Sequence, residues 1–242
     1  MAKLYSFLSD GLVRRFEGRS PRQIVGLTVK TIRHAARRVG PAAARVRRAD
    51  QAFDRQWGTD TSGTVNLSAL NVARDRALLA YGYQASNGVA LEQALALAGI
   101  DPADFTFIDY GSGKGRVVMI SAALGFAKAI GVEFAPELHQ VALANADRFL
   151  AAGGASKPCD MVLGDAGSYV PPPGPLFAYI YNSFGPQILG EVLHRLEQRA
   201  EAGDTVIVVY VNPRHREAFE DNGRWRIEAD ESDWVMYRPA TA

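Results

Sequence analysis

FTFIDYGSGKGRVV, residues 105–118, joins an apolar run of strand length to an acid, three glycines at alternate positions and a resumed apolar pattern. A strand that enters a glycine turn and leaves as a helix is the local form of a nucleotide-binding α/β unit. Gly111, Gly113 and Gly115 lack the side chains that hold a ligand away from the main chain. Two phosphate-binding patterns do not fit the stretch. A P-loop requires Lys-Ser or Lys-Thr after its second glycine, whereas Lys114 is followed by Gly115. The dinucleotide fingerprint G-x-G-x-x-G requires glycine where Arg116 stands, so the match is degenerate at most. What remains is Asp-x-Gly-x-Gly-x-Gly from Asp109 to Gly115. The Asp109 carboxylate suits a ligand bearing an ammonium group and would repel a pyrophosphate.

On either side of this stretch, short apolar runs predict strands at 105–110, 128–133, 159–164, 177–182 and 205–211, each covered on both faces. Helices are predicted at 115–125, 136–150 and 186–202, the second opened by Pro136 with Leu138, Val141, Ala142, Asn145 and Phe149 at helical spacing. A further helix precedes the first strand, with Val89, Leu91, Leu95 and Leu97 as its apolar residues. Alternation of this kind implies a parallel sheet. The end of the chain departs from it, since 225–229 and 234–238 read as two strands joined by the acidic turn 230–233. The expected fold is therefore α/β: a doubly wound, mostly parallel seven-stranded sheet with a C-terminal antiparallel hairpin and an N-terminal helical extension.

Acids stand at the expected strand ends. Glu133 follows Gly111 by 22 residues, where a carboxylate accepts from both ribose hydroxyls, a placement that signals adenosine without choosing the cofactor. Asp165 ends the third strand and is equally suited to capping a turn.

With 242 residues, 48% of them hydrophobic, the chain is long enough for one full-sized core and a small appendage. Its single cysteine, Cys159, reads as a packing residue, and no Cys/His cluster has metal-ligand spacing. The absence of a membrane-length apolar run and of a secretion signal leads to an expected cytoplasmic location. The net charge of +1 conceals a split, because residues 1–57 carry 13 Lys/Arg against four Asp/Glu. An amphipathic helix is predicted within that arm over 25–39, and the arm offers an acidic or anionic partner a basic surface. Nucleic acid is a minor expectation, since no aromatic residues interleave the charges. The organisation expected is a basic helical arm over 1–57, a linker and lead-in helix over 58–104 that covers the cofactor and substrate, and the core over 105–242.

The first motif resembles that of class I S-adenosylmethionine-dependent methyltransferases, whose cofactor carries no phosphate. The resemblance implies S-adenosyl-L-methionine as cofactor, held by Asp109, Gly111, Ser112, Gly113 and Gly115, by Glu133 with Phe134, and by Asp165 with Ala166. Within that class the chain is similar to the seven-strand, non-SET lysine methyltransferases of the disruptor-of-telomeric-silencing type and their prokaryotic relatives. These share the Asp-x-Gly-Ser-Gly-x-Gly motif, the Val-Glu pair seen at Val132-Glu133, and Asn-x-Phe after the fourth strand, seen at Asn182 and Phe184. They also carry Tyr-x-x-Ser/Thr before a helix, matched by Tyr83 and Ser86, with the hydroxyl reaching the methionine carboxylate. Ser86 as a plain helix N-cap is the alternative. Asn182, Phe184, Tyr83 and Tyr210 are the expected lining of an acceptor channel. An oxygen acceptor calls for a general base, usually His. His139, His194 and His215 fall at structural or exposed positions, which favours N-methylation of an amine such as a protein lysine. The alternatives are a small-molecule N- or O-methyltransferase, a NAD-dependent oxidoreductase and a non-catalytic nucleotide-binding module.

Overall fold

The computed structural model describes residues 48, 51–65, 83–86, 88–221 and 223–240. The chain divides into two compact units, Met1–Ala49 and Asp50–Ala242. The helix expected over 25–39 lies outside the described residues, and the sheet with its helices belongs to the second unit.

A helix, α1, spans 51–57. Two short strands, β1 (Thr64–Val65) and β2 (Tyr83–Gln84), pair antiparallel ahead of α2 (Val89–Ala98). The main body then alternates through β3 (Thr106–Tyr110), α3 (Arg116–Ala123), β4 (Lys128–Glu133), α4 (Pro136–Ala151), β5 (Asp160–Leu163), β6 (Leu176–Ile180), α5 (Pro186–Glu201) and β7 (Val206–Val211). A short α6 (Glu217–Glu220) leads into the hairpin β8 (Trp225–Asp230) and β9 (Trp234–Pro239). From residue 105 onward every strand and helix read from the sequence is present, with ends shifted by no more than two residues.

The seven strands lie in the order β5-β4-β3-β6-β7-β9-β8. Neighbours among β3 to β7 run parallel, while β9 is antiparallel to both β7 and β8. Period-2 side-chain alternation sends Ile108 and Tyr110 to one face and Phe107 to the other. On the first face, Ala178, Ile180, Val206 and Val208 pack with Leu189, Val192 and Leu196 of α5. On the second, Phe177, Tyr179, Ile207 and Val209 pack with Leu91, Ala94 and Ala98 of α2. Burial on both faces explains why these strands read as unbroken apolar runs.

Two expectations are corrected. The buried stripe of α2 is Leu91, Ala94 and Ala98, whereas Val89 and Leu97 are 45% and 56% exposed. Small alanines make that face because the helix lies close to the sheet. β5 is an edge strand with no fully buried residue, so the prediction that every strand is covered on both faces fails there. Cys159, just before it, is half-buried, and its thiol donates to the Val118 carbonyl at 3.8 Å. Burial, then the charge of Asp160, pushes that thiol up to about 12, which agrees with a packing role.

Candidate active site

β3 and β6 are neighbours in space but not in sequence, and the chain crosses away from them in opposite directions along the sheet. Beyond the carboxyl ends of such strands an α/β sheet opens a crevice. Here it is a cavity of about 260 Å³. Tyr83, Ser86, Asp109, Gly111, Ser112, Gly113, Glu133, Phe134, Asp165, Ala166, Asn182 and Phe184 line it; Gly115 does not.

The glycine turn lines the cavity and is held by protein contacts. Gly113 has φ +55, and a Cβ there would come within 2.2 Å of the Tyr83 ring. At Gly111, φ +83, a Cβ would meet the Ser183 side chain at 2.5 Å. The packing of Tyr83 and Ser183 onto the turn is therefore a reason for these glycines independent of any ligand. Gly115 departs from the expected ligand role: it is the left-handed N-cap of α3, and its missing side chain leaves room for Met161 of β5.

Glu133 ties the turn to β4. One carboxylate oxygen accepts from the Gly113 amide and the other from the Ala135 amide, both at 2.8 Å. Burial raises its pKa, and the amides of Ala135, Gly113 and Phe134 oppose that rise. Asp109 is buried at the end of β3, where desolvation first and the Glu133 charge second push it up to about 8. Ser112 Oγ, also on the cavity wall, is buried without a hydrogen-bond partner. Two close acids and an orphaned hydroxyl make a site that favours a cation with donor groups.

Gly88, not Ser86, holds the N-cap of α2, but Ser86 Oγ accepts from the Gly88 amide at 3.4 Å and also lies 3.1 Å from the Tyr179 hydroxyl on the cavity wall. Asp165 caps a turn, its Oδ1 accepting from the Gly167 amide at 2.8 Å, while also lining the cavity. Tyr210 is not part of the wall: it is buried behind Asn182, stacks on Phe219, and donates its hydroxyl to Asn182 Oδ1 at 3.3 Å. Sequence reasoning missed Arg116, Tyr179, Tyr181, Asn212 and Arg214, all on the wall. An Asn-Pro step directly after the fifth core strand was the available signal for Asn212. None of the described histidines lines the cavity.

The stretch from residue 58, expected to be a linker, is a strap bonded across the glycine turn. Asp54 of α1 accepts from Thr59 Oγ1, from the Thr61 amide and hydroxyl and from the Ser62 amide at 2.6–2.8 Å. Burial raises this carboxyl, but the bonds from Thr61, Thr59 and Ser62 outweigh it and hold the group at about 2. Thr61, fully buried, then accepts from Arg116 Nε at 2.6 Å, and its carbonyl accepts from the Tyr83 hydroxyl at 2.5 Å. Asn145 of α4 binds both sides of the junction, donating to the Asp60 and Lys114 carbonyls at 3.0 Å. Lys114 pairs with Asp60 at 2.9 Å, while Phe53 and Trp57 pack on Phe149. Asp54→Ala should therefore lower the unfolding free energy by about 2–3 kcal/mol in urea titration, because several partly buried charge-assisted bonds are lost together. Since the folded pKa is depressed, this contribution is present above the ordinary value of 3.8 and disappears as pH falls through about 2.

No family model matches the chain, and no curated protein matches it. Solved structures do. A Pyrococcus horikoshii protein carrying the name RNA methyltransferase aligns at 16% identity over 72% of this chain and 96% of its own, with a TM-score of 0.50. The ribosomal protein L11 methylase of Lactobacillus delbrueckii subsp. bulgaricus aligns at 18% identity over 62% of this chain and 76% of its own, TM-score 0.44. An RNA methyltransferase of Salinibacter ruber, solved with S-adenosyl-L-homocysteine, aligns at 23% identity over 64% of this chain and 92% of its own, TM-score 0.41. Together with the strand order and the antiparallel C-terminal hairpin, the Pyrococcus likeness establishes that the chain has the class I methyltransferase fold.

Proposed function

We propose that the protein is an S-adenosylmethionine-dependent methyltransferase that methylates an amine, with a protein lysine as the preferred acceptor. The observation that carries this reading is the convergence of three strand-end acids, Asp109, Glu133 and Asp165, on one cavity around the glycine turn. The residues fit the cofactor. Asp109 and Ser112 suit its ammonium, Glu133 its ribose hydroxyls, Asp165 its adenine amine, and Ser86 its carboxylate. S-adenosylmethionine supplies an electrophilic methyl on a cationic sulfur with a neutral thioether as leaving group. The chain's own contribution is then positioning and exclusion of water, the effects that dominate a displacement of this kind. Asn182 orients the acceptor nitrogen, Tyr210 fixes the Asn182 amide, and Phe184 offers an apolar wall. Two amides and, among the described residues, no imidazole on the wall favour an amine over an oxygen acceptor. The likeness to non-SET lysine methyltransferases rests on Asp109 to Gly115, Val132-Glu133, and Asn182 with Phe184. The basic excess of residues 1–57 suits an acidic surface on the substrate protein. Incubation with methyl-labelled cofactor and cell extract tests this: methyl-lysine in protein hydrolysate is expected, and label confined to small molecules contradicts the lysine assignment.

The acid pair sets a pH dependence. Burial and the Glu133 charge keep Asp109 protonated up to about pH 8, so binding of an ammonium-bearing cofactor must first release that proton. Affinity should rise from pH 6 to about pH 8 and level off above it, with a measurable proton release in calorimetry at pH 7. For the unliganded protein the sign is opposite. A buried acid with a raised folded pKa stabilises when protonated, and this contribution is complete below 3.8 and lost as pH rises towards about 8. Cofactor affinity that is flat across that range would contradict the assignment of Asp109.

A further inference from the structure

β6 and β7 run parallel with Ile180 opposite Tyr210. Two residues beyond each of these partners the chain turns through an asparagine, so Asn182 and Asn212 follow the carboxyl ends of neighbouring strands. Both line the cavity. Among the described residues they are also the two non-glycine positions with positive φ, at 40° and 50°. Glycine and asparagine are the residues that take that conformation most readily, so the backbone favours either at both positions, and asparagine alone adds an amide to the cavity wall. Asn212 is exposed on the cavity wall, and its side chain has no hydrogen-bond partner among the described residues, its backbone amide alone being engaged, with the Asp233 carbonyl at 2.7 Å. Asn182 Oδ1 receives the Tyr210 hydroxyl, which uses one of its two lone pairs.

We propose that Asn182 and Asn212 form a paired amide clamp that receives the two N–H bonds of a primary-amine acceptor. This deepens the methyltransferase reading and rests on it. A neutral primary amine has one lone pair and two N–H donors. With the donors held by two amide oxygens, the lone pair is aimed away from the strand ends, towards the transferring methyl. The lone pair forms the new N–C bond as the C–S electron pair stays on sulfur, and the methylammonium product gives up one proton to solvent. An alcohol offers such a clamp one donor and a tertiary amine none, so the clamp selects primary amines.

Calorimetric titration of the full chain with S-adenosylhomocysteine and with sinefungin, the cofactor analogue that carries a primary amine in place of the methylsulfonium, tests the clamp. Wild-type protein should bind sinefungin more tightly. Asn212→Gly, which keeps the left-handed backbone, should lose sinefungin affinity by about tenfold while S-adenosylhomocysteine affinity stays within about twofold. Asn212→Asp, which retains an oxygen and tolerates the same backbone, should restore sinefungin binding. An Asn212→Gly protein that binds sinefungin as wild type does, or that weakens both ligands equally, overturns the clamp. Wild-type protein that binds neither ligand overturns the cofactor reading itself and the clamp with it.

Discussion

Glu133→Ala should weaken S-adenosylmethionine binding by about 2–4 kcal/mol, since two charge-assisted bonds to the ribose hydroxyls are lost and water replaces them in part. The geometry around Glu133 strengthens this expectation. The same carboxylate holds the amides of Gly113 and Ala135, so its removal also loosens the turn that must receive the cofactor. Glu133→Gln keeps one acceptor oxygen and should lose less. Calorimetry gives the affinities, and near-ultraviolet circular dichroism establishes that each variant is folded. Unchanged affinity in a folded Glu133→Ala protein would falsify the ribose assignment.

Asn182 should separate binding from turnover. Its positive φ makes glycine the better replacement, because alanine at φ 40° adds backbone strain to the loss of the amide. Asn182→Gly should leave cofactor affinity within about twofold yet reduce kcat at least about 100-fold, the cost of a misplaced nucleophile. The Tyr210 hydroxyl, left without its partner, is the structural cost, and a small fall in melting temperature would report it. Equal loss of cofactor binding and turnover would place Asn182 in the cofactor site instead of the acceptor site.

The sheet was legible because each of its strands is a run of apolar residues between helices of clear period, and because glycine and proline mark the turns. The acids at the ends of β3, β4 and β5 were legible for the same reason: once a strand is placed, so is its carboxyl end. The exposed positions of α2 were not, since a stripe judged by large residues overlooks Ala94 and Ala98 as the packing surface. The strap was hidden for a different reason. Thr61 and Arg116 are 55 residues apart, and Asn145 lies 85 from Asp60, so their polar contacts leave no periodic trace. Locally, Gly58 to Gly63 has the composition of any turn, and contacts with Asp54, Arg116, Lys114, Tyr83 and Asn145 give it a fixed place. Asn212 lies in the same category: its meaning depends on the pairing of β6 with β7, which places it after the strand next to the one that Asn182 follows.

The identity of the ligand that Asp109, Glu133 and the glycine turn enclose decides the role of every other residue in the cavity. Parallel calorimetric titration of the purified chain with S-adenosylmethionine and NADH identifies it. Saturable one-site binding of S-adenosylmethionine, weakened in Glu133→Ala, is expected, together with no binding of NADH. Binding of NADH alone would overturn the cofactor assignment and would make Glu133 the ribose ligand of a dinucleotide.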